Sequence, residues 1–170
     1  MLDFIKYDNF NHFDGDYKKD KIVLTHTSRN LPDYLSSLTK RIYGKNFKVP
    51  HYVIGRDGVI HHLIEDTKET KYLINDKLNK ESIIISLENL GWLEKEPLKK
   101  HYLNWIGDIY KGEVFEKKWR DRHYWEPYSD EQVFSLLEVL NYLTEKMDIV
   151  FNVVEHNTLI KEIKHKNLKA

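Results

Sequence analysis

The sequence predicts an α/β fold, with a mixed central β-sheet flanked by helices. Two segments rich in β-branched residues, 21–27 (KIVLTHT) and 82–89 (SIIISLEN), are apolar on both parities and read as strands buried on both faces. A hairpin signal and helical patterns are interleaved with them, and such mixing belongs to this class. A length of 170 residues with 41% apolar content suits one core rather than two, so residues 1–170 read as a single domain.

After the first strand, Leu35, Leu38 and Ile42 recur at helical spacing across residues 31–43. Pro32 suits the first turn of that helix and Gly44 its stop. Residues 51–56 and 59–64 flank Asp57-Gly58, a strong hairpin signal. The isoleucine-rich strand follows and is closed by Gly91. Ser129 then opens a long helix, with Gln132 completing a capping box. Val133, Leu136, Leu137, Leu140 and Met147 form its expected apolar stripe. Residues 151–155 (FNVVE) read as a last strand, before a basic tail, KEIKHKNLKA.

Residues 91–128 stand apart. They hold all four tryptophans, Trp92, Trp105, Trp119 and Trp125, among many lysines and tyrosines. Two readings apply: a surface excursion packed down by its own aromatics, or an aromatic wall of a ligand groove.

Composition removes several functions. Cysteine is absent, which excludes disulfides, thiol nucleophiles and cysteine-ligated metals. Basic and acidic residues both number 27, so the excess expected of a general nucleic-acid binder is missing. Apolar runs are too short to cross a bilayer, and the N-terminus lacks a signal-peptide core. The expectation is a monomer that is cytoplasmic as made, with neither nucleic-acid nor membrane partners. Chemistry falls to carboxylates and to nine histidines, since no Gly-rich phosphate loop, G-x-S-x-G or H-E-x-x-H motif occurs. His26, near the end of one strand, and His156, directly after another, stand where adjacent strand ends would aim two imidazoles at one point.

In order, KIVLTHTSRN, PHYVIGRDGVIHHLIED, SIIISLENLGWL, YSDEQVFSLLEVLNYL and VVEHN resemble the zinc-dependent N-acetylmuramoyl-L-alanine amidases. Phage lysozyme-type amidases and peptidoglycan recognition proteins share that fold. The resemblance runs from about Lys21 to about Asn157. It implies hydrolysis of the amide between N-acetylmuramic acid and L-alanine, with peptidoglycan or a muropeptide as partner and zinc as cofactor. Matched residue by residue, His26 and His156 correspond to two zinc ligands, and His51 to the histidine of the hairpin strand beside the substrate.

Two departures from the family pattern matter. The position of the usual general base is Ser86. Glu88 lies two residues on and so on the same strand face, which makes it the candidate replacement. No Asp or Cys follows His156, so the third ligand is either His165 or a residue beyond Ala170, in which case the chain lacks its C-terminal end. The resemblance thus leaves two functions open: a wall-degrading amidase of a phage or lytic system, acting once released, or a relative that binds peptidoglycan with weak or no cleavage.

Overall fold

The computed structural model describes residues 2–40, 47–150 and 152. Its first sheet is built from β1 (Ile5–Lys6), β2 (Lys21–His26), β3 (Tyr52–Ile54), β4 (Ile60–His62) and β5 (Ser82–Leu87). Their spatial order is β1-β4-β3-β5-β2. Strand β5 runs parallel to both β2 and β3, while β3 and β4 pair antiparallel. The sheet is therefore mixed, as the sequence predicts. Every residue of β5 is buried, which suits its isoleucine run, Ile83 to Ile85.

Helices α1 (Leu31–Lys40) and α3 (Asp130–Met147) cover opposite faces of this sheet. Val53 faces Tyr34 and Leu38 of α1 in one cluster. Tyr52, Ile54, Ile83 and Ile85 face Val139 and Leu143 of α3 in the other. The split follows the two-residue period of a strand. A short helix, α2 (Asp76–Glu81), leads into β5 and is capped by the Asn75 side chain. Neither β1 nor α2 is evident from apolar periodicity, because each is too short to show one. No helix among the described residues is long and apolar enough to cross a membrane.

The hairpin turns at Asp57-Gly58, where Gly58 has φ +80°. A Cβ there would lie 3.1 Å from the Glu131 carbonyl oxygen, so the turn packs directly on α3. The expected capping box of Ser129 and Gln132 is present.

Three expectations need correction. Strand β2 is only partly buried, with Leu24 50% exposed, so it is not buried on both faces, and among the described strands it lies at the sheet edge. The buried stripe of α3 is Gln132, Ser135, Val139 and Leu143, flanked by Leu136, Leu140 and Met147. Val133 and Leu137 remain about half exposed. Two polar side chains take the inward positions because they have partners there. Gln132 Nε2 donates to the carbonyls of Ile54 and Glu88, and Ser135 Oγ donates to Gly58 O. Hydrophobicity alone therefore misjudges the helix's rotation.

The third correction concerns the insertion. It forms a second, antiparallel sheet from β6 (Trp92–Lys95), β7 (Tyr102–Leu103), β8 (Ile109–Tyr110), β9 (Phe115–Trp119) and β10 (Arg122–Trp125), in the order β8-β7-β6-β10-β9. Aromatic self-packing is present, with Tyr102 on Tyr124 and Trp119 on Trp125 at 5.0 and 5.5 Å between ring centroids. Charged residues within FEKKW and RHYW hide the strands from an apolar-run reading, because β9 is exposed along its whole length.

Candidate functional site

The site is built around the carboxyl end of β2. His26 is the last residue of that strand and pairs in register with Leu87. Beyond it the chain is pinned. Thr27 N–H donates to Leu87 O, and Thr27 Oγ1 accepts from Asn89 N–H. Asn89, 3% exposed, donates to Glu126 O and accepts from Gly91 N–H. Glu126 in turn accepts from Leu90 N–H and pairs with Arg56 at 3.1 Å. These bonds lock the start and finish of the insertion against the sheet end. Ser28 follows with φ 59°, a left-handed conformation uncommon for serine.

Two features crowd His26. Gly91 has φ +84°, and a Cβ there would lie 3.1 Å from His26 Nε2. Glycine serves both the backbone angle and the space for the imidazole. From the other side, the turn between β7 and β8 folds back. Trp105 Nε1 donates to Ser28 O, and the Arg29 guanidinium lies 5.8 Å from the Trp105 ring centroid. Trp105 thus contacts the residues just after His26, in keeping with the reading of the insertion as a wall. All four indoles are at least partly exposed.

His26 is exposed, and the partial burial of its ring holds the imidazole below its ordinary pKa. A neutral imidazole with an accessible nitrogen is the form that ligates a metal. Among the described residues its ring makes no hydrogen bond and no carboxylate perturbs it. The described residues hold no group of three or more His, Cys, Asp or Glu suited to a metal ion. His156 and His165, with the strand expected at 151–155, lie outside the described residues.

The structure places His51, the expected substrate-side histidine, in the core. Its side chain is fully buried. Nδ1 accepts from Ile84 N–H at 3.1 Å, and Nε2–H donates to Lys68 O at 3.0 Å. Both nitrogens serve backbone groups, so His51 holds β5 to the hairpin and offers nothing to a ligand.

Glu88 is also committed elsewhere. Oε1 accepts from Leu31 N–H at 2.7 Å, at the start of α1, and Oε2 accepts from Arg56 N–H at 2.9 Å. Because His26 pairs with Leu87, His26 and Glu88 belong to opposite faces of the sheet. The geometry makes Glu88 a carboxylate that positions α1 and the hairpin, not a proton carrier beside His26. Glu88→Gln sets an amide donor against one of these backbone donors and should cost roughly 1–3 kcal/mol in urea unfolding. Any amidase rate should change by less than about tenfold, whereas loss of a general base costs about 10²–10⁴. A large rate loss at unchanged stability would restore the catalytic reading. The strand face of Glu88 is legible in the sequence, but the strand register and the amides it meets are not.

Fold and site together define an α/β protein whose candidate chemistry lies at the carboxyl ends of parallel strands, as is general for such sheets. The chain belongs to the N-acetylmuramoyl-L-alanine amidase family, which it matches over residues 16–167. It is similar to the endolysin amidase LysCS of Clostridium intestinale, with 17% identity and a TM-score of 0.55 over 88% of this chain and 78% of that one. The E. coli amidase AmiD, solved with anhydro-N-acetylmuramic acid-L-Ala-D-gamma-Glu-L-Lys, gives 17% identity and a TM-score of 0.53 over 80% of this chain and 47% of AmiD. Apis mellifera PGRP-SA, a recognition protein, gives 15% and 0.51 over 86% and 78% of the two chains. At these identities the likeness is one of fold. No curated protein matches the sequence.

Proposed function

We propose that this chain is a zinc-dependent peptidoglycan amidase, hydrolysing the amide between N-acetylmuramic acid and L-alanine, with His26 and His156 as zinc ligands. The observation that carries the reading is the exposed imidazole of His26 at the carboxyl end of β2, in a chain that matches the amidase family over residues 16–167. Helix α3 starts near the carboxyl ends of β3 and β5, where Gln132 meets Ile54 O and Glu88 O. It therefore returns toward the strands' amino ends.

The chemistry bound zinc supplies is polarisation of the scissile carbonyl and acidification of a water. The chain's own residues would do the rest. Gly91 leaves space for the His26 ring, while Trp105 and Arg29 offer an apolar wall with a cation at its rim. A second reading, muropeptide binding without cleavage, draws on one observation: both Glu88 oxygens are held by amides, and no described carboxylate acts on His26.

Metal analysis of the purified chain, with an assay for the amine freed from a soluble muramyl peptide, tests the proposal. Zinc near one equivalent with amine release is expected. Muropeptide binding without release would select the second reading, and neither binding nor release would reject both.

A further inference from the structure

We propose that Arg29 selects the substrate by charge, binding a free carboxylate on the peptide residue next to the L-alanine. This rests on the reading of a muramyl peptide as the ligand. Arg29 stands three residues beyond His26, a stretch of chain that spans at most roughly 11 Å. Its backbone is fixed on both sides. Thr27 Oγ1 donates to Arg29 O and accepts from Arg29 N–H, and Thr27 is itself buried and bonded to Leu87 O. One residue further on, Asn30 Oδ1 accepts from Asp33 N–H at 3.0 Å as α1 begins. The guanidinium therefore extends from an anchored turn, and less freedom is lost when a ligand meets it.

Among the described residues no carboxylate pairs with this guanidinium, whose one side-chain contact is the Trp105 ring at 5.8 Å. Arg56, at the same end of the sheet, is already held by Glu126 at 3.1 Å and by Pro127 O at 3.0 Å. Basic and acidic residues number 27 each, so the unpaired charge of Arg29 is not part of a general basic surface. Trp105 gives its ring face to the guanidinium and its indole N–H to Ser28 O, and so serves as the platform rather than the ligand contact. A guanidinium stacked in this way keeps the N–H donors of its edge, which match a planar carboxylate. Chemistry identifies that carboxylate. The muropeptide solved with AmiD carries D-Glu, joined through its γ-carboxyl, directly after L-Ala. A γ linkage leaves the α-carboxylate free, and it is the first anion beyond the amide to be cut. Amidation of that group removes its charge and sets a donor where the guanidinium needs an acceptor.

The test compares muramyl-L-Ala-D-Glu with its α-amide, as ligands of the full chain by titration calorimetry and as substrates by amine release. At low salt the parent should bind the acid about tenfold tighter than the amide, the scale of a charge-assisted hydrogen bond. Arg29→Gln should bring the two affinities within about twofold by weakening the acid alone, with the thermal midpoint unchanged. Arg29→Lys keeps the charge but not the fork, and should retain part of the preference. Equal affinity of the parent for the two peptides, or binding of neither, would overturn the inference. So would a preference that survives in Arg29→Gln. If the preference depends on Arg29 yet no amine is released, the carboxylate site stands while the amidase reading falls. If amine is released from both peptides and their affinities are equal, the amidase reading stands and this inference falls.

Discussion

His26→Ala should abolish zinc retention and lower amidase turnover by at least about 10³-fold, equivalent to roughly 4 kcal/mol of barrier. The proposal gives zinc two histidines from this chain, and loss of one leaves a site too poor in protein donors to hold the ion. Stability should hardly move, because His26 is exposed and its ring makes no hydrogen bond among the described residues. Metal content after dialysis, turnover and the urea midpoint should be measured on one preparation. Gly91→Ala is the companion. Its Cβ would lie 3.1 Å from Nε2, in a backbone conformation that disfavours alanine. It should reduce turnover with part of the zinc retained. Full zinc retention and full turnover in His26→Ala would remove this strand end from the chemistry.

His51→Leu should cost about 2–4 kcal/mol of stability. The Ile84 N–H loses its acceptor in a fully buried place, while Lys68 O keeps the Lys19 ammonium at 2.7 Å. The pH dependence makes the test sharper. Burial pushes the His51 imidazole down to about 4, since a protonated ring would set a donor against the Ile84 donor. An unfolded histidine titrates near 6.5. As pH falls from about 6.5 toward 4, the unfolded chain takes up a proton that the folded chain refuses. The parent therefore loses up to roughly 3 kcal/mol across that window. The leucine variant lacks this loss, so the stability gap seen at pH 7 should shrink as pH approaches 4. Parallel stability curves for the two proteins over this range would show that His51 is not buried as a neutral ring.

Much of the architecture is legible in the sequence because it depends on local pattern. SIIISL has a run that suits a strand buried on both faces, and it lies inside the sheet between β3 and β2. Asp57-Gly58 demands a positive φ and forms the hairpin turn. Ser129 and Gln132 are spaced for a capping box and make one. His26 at a strand end follows from the same kind of reading.

What the sequence withheld depends on partners distant along the chain. His51 and Glu88 are polar residues beside a candidate site, and residue type alone cannot tell a ligand from an anchor. Only the fold brings the Ile84 amide to His51, and the Leu31 and Arg56 amides to Glu88. Likewise Gln132 and Ser135 turn inward because carbonyls from other elements await them. The second sheet eluded apolar-run reading because its strands carry charge on exposed positions and pack through aromatic pairs. Local preference thus determined β3, β4, β5, α1 and α3 by itself. The hydrogen-bond accounting of buried polar groups, which exists only once those elements are packed, decided which candidate residues are structural.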